Sequence, residues 1–318
     1  MLENISLIVI ARNESFGIEK VFKALRESSF ANAQFILVDS GSTDNTASQM
    51  KSFSTLVADC KLIQLSGKQN ASIARNAGLA LAEREFCFFI DGDTEVSRSF
   101  IDAALEQFRT QPDVVAIAGD LTDYLYNQDF SELKEISDNR FSITKITENR
   151  AFGGNVIMKT DIAKQVRWDE QLPVHEDFDI SLRLRQLGKV LLLPVSMGVH
   201  HTRYDTRNAY SLLFSRNPKY FGILIRKNFK NHSKLLLSIN RGHWIGLFYY
   251  VFFIFLMFSY LSEIGFLYIV FAFCALSLFD FSKAGMKNIP QSVADWFVVR
   301  FIYPFFVIYG FCRIKKSP

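Results

Sequence analysis

The chain has 318 residues, 49% of them hydrophobic and 21% charged, with a formal net charge of +4. With 16 Gly and 7 Pro, this excludes a disordered, collagen-like or low-complexity protein and leaves room for about two domains. A mean hydropathy of +0.11 and 32 Phe are high for one water-soluble domain, and Trp244 to Phe281 is almost continuously apolar and Phe-rich. Cys60, Cys87, Cys274 and Cys312 lie far apart with no CxxC spacing, so neither a disulfide framework nor a zinc site is expected, and reduced thiols are.

The first apolar run, Ile5 to Ala11, follows Glu3 rather than a basic segment and is too short for a secretory leader. It reads as a buried strand. Further strand-like runs are Phe35–Val38, Lys61–Leu65, Phe86–Ile90 and Val114–Ala118, each short and rich in β-branched or aromatic residues. Between them, Ile18, Val21, Phe22 and Leu25 repeat at helical spacing, as do Ile73, Ala77 and Ala80, then Phe100, Ala104, Leu105 and Phe108. Alternating strands and helices predict a parallel sheet covered on both faces, in which ligands bind beyond the carboxyl ends of the strands. Asp120 to Arg150 has little pattern and is expected to be an irregular or helical excursion over the site. Strands at Val156–Met158 and Val190–Leu193 and a helix over Glu176–Leu187, ended by Gly188, complete this part.

From Thr206 to Trp244 there are eight Lys or Arg and no acidic residue, with an apolar stripe at helical spacing. Next to an apolar tail, that favours attachment to anionic lipid over a merely solvated helix, and nucleic-acid binding would not explain the tail. Trp244–Leu261 and Ile264–Phe281 each approach the length needed to span hydrocarbon and suggest a hairpin over 244–281. Arg241, Lys283 and Lys287 at its ends place those ends on the cytoplasmic side. A third apolar helix, about 293–312, contains Arg300 and is expected to lie in the interface or re-enter. The expected organisation is a catalytic domain over 1–205, basic amphipathic helices over 206–243 and membrane-associated helices over 244–318.

Four polar clusters follow strands. Asp39-Ser-Gly-Ser-Thr-Asp-Asn-Thr46 enters a helix, where Ser42, Thr43 or Asp44 can cap and Asp39 can accept hydrogen bonds from a base or ribose. Taken alone it is also what a cap and turn would look like. In Asp91-Gly-Asp93 the i, i+2 spacing lets two carboxylates converge on one Mg²⁺ or Mn²⁺, although Asp-Gly is a common turn. His175-Glu-Asp-Phe-Asp179 opens a helix; its acids complement the helix dipole, or one serves as a general base kept ionised by that terminus. His200 and His201 are candidates for a metal or phosphate role. Arg75-Asn-Ala-Gly78 reads as an exposed helix unless the site lies beside it. No GxGxxG, GK[ST] loop or GxSxG elbow is present, which weakens dinucleotide, P-loop and serine-hydrolase readings.

Taken in order, Val9-Ile-Ala-Arg-Asn-Glu14, Val38–Thr46, Ala74–Gly78, Asp91–Asp93, Gly153-Gly-Asn155 and Glu176-Asp177 resemble glycosyltransferase family 2 over roughly residues 4–205. The resemblance implies an α/β GT-A (Rossmann-like) fold with a mostly parallel sheet flanked by helices, followed by a membrane-associated α-helical segment like that of bacterial members. It implies an inverting transfer from a nucleotide-sugar to a hydroxyl in a glycan or lipid-linked acceptor, with Mn²⁺ or Mg²⁺, at the cytosolic face of the inner membrane. Ala11, Glu14, Asp39, Arg75, Asp91, Gly153 and Gly154 would lie around the donor. Asp93, Asp91 and His200, rather than His201, would hold the metal. Asp177 would be the base and Glu176 would shape the acceptor site. The Gln-x-x-Arg-Trp pattern of processive synthases is not found, which points to single-sugar addition. Other readings are a polyprenyl-phosphate glycosyltransferase, a nucleotidyltransferase and a non-catalytic membrane scaffold.

Overall fold

The structure is a computed structural model that describes residues 2–27, 30, 32–67, 69–148, 152–204 and 219–228. The chain divides into two compact units, Met1–Asp205 and Thr206–Pro318.

The first unit is built around β1 (Ile5–Ala11), all seven residues of which are buried. Successive side chains of a strand point to opposite faces, so this run feeds two cores. Leu7 and Val9 belong to the same core as Ile18, Val21, Phe22 and Leu25 of α1 (Ser15–Glu27), Met50 and Phe53 of α2 (Thr46–Ser54), and Phe100, Ile101 and Ala104 of α4 (Arg98–Thr110). Ile8 and Ile10 face Ala74 and Leu79 of α3 (Ala71–Ala80), Ala163 of α5 (Thr160–Val166), and Ile180 and Leu184 of α6 (Glu176–Leu184). Gly78 lets α3 settle onto β1, because a Cβ there would overlap the Ile8 side chain. Each large apolar side chain so buried is worth roughly 2 kcal/mol, which is why the predicted stripes become helices packed on a sheet.

In the sheet, β3 (Cys60–Gln64), β2 (Gln34–Asp39), β1 and β4 (Phe86–Asp91) are adjacent and parallel. The order then continues through β9 (Val156–Lys159), β6 (Val114–Tyr126), β10 (Lys189–Arg203) and β5 (Thr94–Val96). β9 runs antiparallel to both β4 and β6, and β5 antiparallel to β10, while β6 and β10 are parallel. The sheet is therefore mixed rather than mostly parallel.

Residues 120–148 are only partly the expected irregular cover, and none of them is helical. β6 carries the sheet on to Tyr126 and β7 (Leu133–Ser137) returns antiparallel beside it, with β8 (Thr147–Glu148) pairing β10. The Leu-Thr-Asp-Tyr-Leu-Tyr run carries strand-forming Thr and Tyr, and its mixed polarity reflects a strand leaving the core. His200 and His201 likewise lie within β10 and not beyond its end; that strand is irregular between Leu193 and Gly198 and resumes pairing afterwards. α5 and the three-residue β5 were not anticipated.

Of the second unit, residues 219–228 are helical, with Phe221, Leu224 and Ile225 buried. Among the described residues no helix is long and apolar enough to cross a membrane. The apolar hairpin expected over 244–281 and the third helix over 293–312 lie outside the described residues.

Candidate active site

β1, β2 and β4 end side by side at Ala11, Asp39 and Asp91, with Ala11 in register with Asp39 and Ile10 with Asp91. Above them opens a cavity of about 300 Å³ lined by Ala11, Glu14, Ser40, Arg75, Asp91 and Asp93 among others. A larger surface groove of about 900 Å³ runs between α1 and α2 and contains none of the candidate donor, metal or catalytic residues. The chemistry gathers at the smaller cavity.

One wall is made of the loops after β1 and β2, which exchange hydrogen bonds. Asn13 N–H donates to Ser42 Oγ at 3.0 Å and Asn13 Oδ1 accepts from Thr43 N–H at 2.8 Å. Glu14 N–H donates to Thr46 Oγ1 at 2.9 Å and Ser15 N–H to Asp44 Oδ2 at 3.1 Å. Asp44 therefore serves the start of α1 as well as Thr46, the first residue of α2, whose N–H it accepts at 3.0 Å. Burial raises the Asp44 carboxyl, but hydrogen bonds from Thr46 and Ser15 outweigh it and hold the group below its usual range. Asp39 is buried at the foot of this wall and accepts Ser42 N–H at 3.1 Å. Glu14 faces the cavity; burial, reinforced by Asp93, pushes its carboxyl up to about 7.

The floor is organised by Arg75. Asn70 caps α3 by accepting Ile73 N–H at 2.9 Å, which fixes the helix that carries Arg75. The guanidinium is 3% exposed and bridges Asp91 at 2.7 Å and Glu176 at 2.9 Å, with its face 4.5 Å from the Trp168 ring. Burial disfavours its charge, yet the two carboxylates more than compensate and raise its pKa. Asn76 holds the neighbouring segment, donating to Trp168 O and accepting Trp168 N–H, both at 2.9 Å. Gly154 completes the floor, because any Cβ there would strike the Arg75 guanidinium and the Asp91 carboxylate. Gly153 is looser, with Phe141 Cζ the nearest atom at 3.5 Å from a built Cβ.

Asp91 and Asp93 diverge in their partners. Asp91 engages Arg75, and Asn155 donates to its other oxygen at 3.3 Å while accepting Asp91 N–H at 2.8 Å. Burial raises the Asp91 carboxyl, Arg75 lowers it, and Asp93 adds to the rise. Asp93 turns to His200, whose Nε2 lies 3.3 Å from Asp93 Oδ2. Burial lowers the His200 pKa, but Asp123 and Asp93 overcome that and raise it to about 9. His201, the next residue, points the other way into a buried contact with Tyr126 Oη at 3.1 Å and Glu95. Among the described residues no three His, Cys, Asp or Glu side chains form a closed metal cage. Asp93 Oδ2 and His200 Nε2 nonetheless lie 3.3 Å apart, close enough for one ion to take both. That pair fits a Mg²⁺ or Mn²⁺ ion that keeps phosphate oxygens and waters as its other ligands.

Through Arg75 the cluster reaches the start of α6. His175 has φ of +64° and turns the chain sharply into Glu176-Asp177. Glu176 is held by Arg75, and Asp177 Oδ1 accepts Phe178 N–H at 2.8 Å. The helix terminus was expected to keep Asp177 ionised. Instead burial, and then the Glu176 charge beside it, push its carboxyl up to about 7. A carboxyl poised there is half-charged at neutral pH and suited to accept a proton in a transition state.

The sequence reading overlooked several residues here. Asn155 stood in a recognised motif without a role, Asn76 was read as exposed, and Asp123 lay in the segment without apparent pattern. In β6, alternation of Thr122, Tyr124 and Tyr126 against Asp123 and Leu125 was the available signal.

The sequence profile of glycosyl transferase family 2 matches residues 6–166, which runs from β1 to the end of α5. The amylovoran biosynthesis glycosyltransferase AmsB of Erwinia amylovora is 26% identical over 220 residues, covering 64% of this chain and 72% of that protein. Among solved structures, Staphylococcus aureus TarS 1–349 aligns with a TM-score of 0.51 at 16% identity, covering 76% of this chain and 78% of that one. GalNAc-T7 with UDP, GalNAc and Mn²⁺ aligns with a TM-score of 0.57 at 12% identity over 75% of this chain and 50% of that one. At these identities the structural likeness speaks for the fold alone. The profile covers half the chain and includes the loops, Arg75, Asp91, Asp93 and the Gly-Gly-Asn turn, so the chain belongs to glycosyl transferase family 2 and is a glycosyltransferase.

Proposed function

We propose that this glycosyltransferase moves one sugar from a nucleotide-sugar to a hydroxyl of a cell-surface glycan or lipid-linked acceptor, with inversion at the anomeric carbon. The observation that carries this reading is the buried Arg75 bridge, which ties Asp91, a residue lining the cavity, to Glu176 beside Asp177. The stitched loop wall with Asp39 and Glu14 takes the base and ribose. Asp177 accepts the acceptor's proton as its oxygen attacks the anomeric carbon from the face opposite the diphosphate. One C–O bond forms as the bond to the leaving phosphate breaks, and the configuration inverts. Glu176, fixed by Arg75, shapes the acceptor side. Asp93 and His200 would hold a Mn²⁺ or Mg²⁺ ion, which would offset the charge growing on the leaving diphosphate. The structural relatives TarS, in a complex with UDP-GlcNAc (TM-score 0.50), and GalNAc-T7 support a nucleotide-sugar donor and a divalent ion.

The acid-free segment 206–243 and the apolar stretch beyond it support attachment to the inner face of a cell membrane, with the site facing the cytosol. The test is a thermal-shift screen of the full chain in detergent against nucleotide-sugars with Mn²⁺ or Mg²⁺. Product configuration is then read by NMR, with glycan and polyprenyl-phosphate acceptors compared. A product of retained configuration, or no stabilisation by any nucleotide-sugar, refutes the reading.

A further inference from the structure

Three neighbouring strands set out a row of polar side chains that ends outside the assigned site. His200 on β10 is in register with Thr94 on β5, so Asp93 lies beside it. On its other side His200 is in register with Asp123 on β6. The imidazole is thereby held between two carboxylates: Nε2 is 3.3 Å from Asp93 Oδ2 and Nδ1 is 2.7 Å from Asp123 Oδ1. Arg140 Nη1 lies 3.0 Å from the same Asp123 oxygen and 2.9 Å from Nδ1. Two donors cannot bond to each other, so the Arg140 N–H and the Nδ1–H both serve the Asp123 carboxylate. Nδ1 keeps its proton on Asp123, and Nε2, turned towards Asp93, is the nitrogen that would ligate, giving up its own proton to an incoming ion.

Arg140 is brought there by a second anchor. Asp120, buried at 4% exposure, accepts backbone N–H groups from Phe141 at 2.8 Å and Ile143 at 2.9 Å, and Arg140 N–H donates to Leu121 O at 2.9 Å. The segment after β7 is thus fastened so that its arginine reaches across the strands to the histidine.

We propose that Asp123, backed by Arg140, is a positioning residue for the divalent ion: it fixes the tautomer and tilt of His200 and raises the ligating strength of Nε2. This rests on the metal-dependent reading above. Carboxylates in this relation to a ligating histidine typically change metal affinity about 10–100-fold. The test is Mn²⁺ titration followed by electron paramagnetic resonance, with UDP or GDP present, on the full chain in detergent. Asp123→Asn is expected to weaken Mn²⁺ binding about 10–100-fold, and Arg140→Gln to weaken it by less. With His200→Ala as background, Asp123→Asn adds no further loss, which a general structural defect would not reproduce. Asp123→Asn binding Mn²⁺ as tightly as wild type overturns the proposal while leaving the metal site standing. So does a full further loss in the His200→Ala background. Wild-type protein that takes up no Mn²⁺ with either nucleotide overturns the proposal and the metal-dependent reading together.

Discussion

Replacing Arg75 by Met tests whether the bridge is what holds the two sides of the site together. The guanidinium is 3% exposed, with the Glu176 side chain 13% and the Asp91 side chain 31% exposed. Met keeps most of the packing on Trp168 but leaves two carboxylates near each other without their shared cation. Removing one partner of a buried ion pair costs about 3–5 kcal/mol, because the charge left behind stays desolvated. Asp91 retains its bond from Asn155 and partial contact with water, which places the loss towards the lower end of that range. For a unit of this size such a loss lowers the melting temperature by roughly 6–20 °C. Thermal unfolding of the full chain in detergent measures it. Adding Glu176→Gln to Arg75→Met should return part of the loss, since one uncompensated charge disappears. A single variant melting within about 2 °C of wild type would refute the bridge as an organising contact.

Asp177→Asn should lower transfer at least ~10²-fold while nucleotide-sugar binding, read by calorimetry, persists. Turnover of the wild type should rise with pH through about 7, where the Asp177 carboxyl loses its proton. The same group makes stability pH-dependent: its pKa is raised in the folded protein, so the folded state holds the proton longer than the unfolded chain. Stability therefore falls as pH climbs from about 4 to about 7. Asp177→Asn removes that fall, so its melting temperature should exceed wild type at pH 8 by more than at pH 5. Gly154→Ala should displace Arg75 and Asp91 and abolish donor-induced thermal stabilisation, whereas Gly153→Ala should leave it intact. Asn76→Ala strands buried Trp168 backbone groups and should cost about 1–3 kcal/mol in urea unfolding, with no change in the pH profile of turnover.

The first half of the sheet could be read from the sequence because its signals are local. The apolar run of β1 and the stripe of Ile18, Val21, Phe22 and Leu25 each declare an element without reference to the rest of the chain. The reversal of β9 could not be read, since Val156-Ile-Met158 is equally suited to either direction and only its neighbours decide. Asp91 illustrates the same limit for chemistry. The spacing of Asp91 and Asp93 suggested two carboxylates turned on one ion, but Arg75, distant in sequence, draws Asp91 to itself. For Asp177 the helix terminus argued for a charged acid, whereas burial and the adjacent Glu176, both properties of the folded site, reversed the balance. The separate fates of His200 and His201 follow from strand alternation, because β10 runs through both residues.

The reciprocal hydrogen bonds between the loops after β1 and β2 have a consequence for how ligands are accommodated. Those loops take their shape during folding, so a ligand that binds there meets a surface already ordered and little ordering entropy is lost. The β6–β7 ribbon is different: Leu133 and Ile136 are half-exposed, and β7 pairs with one strand alone. Its solvent-facing side chains can change without disturbing the nucleotide wall. A stitched wall beside a ribbon whose surface is free to vary lets one part of the fold change while the other keeps its shape.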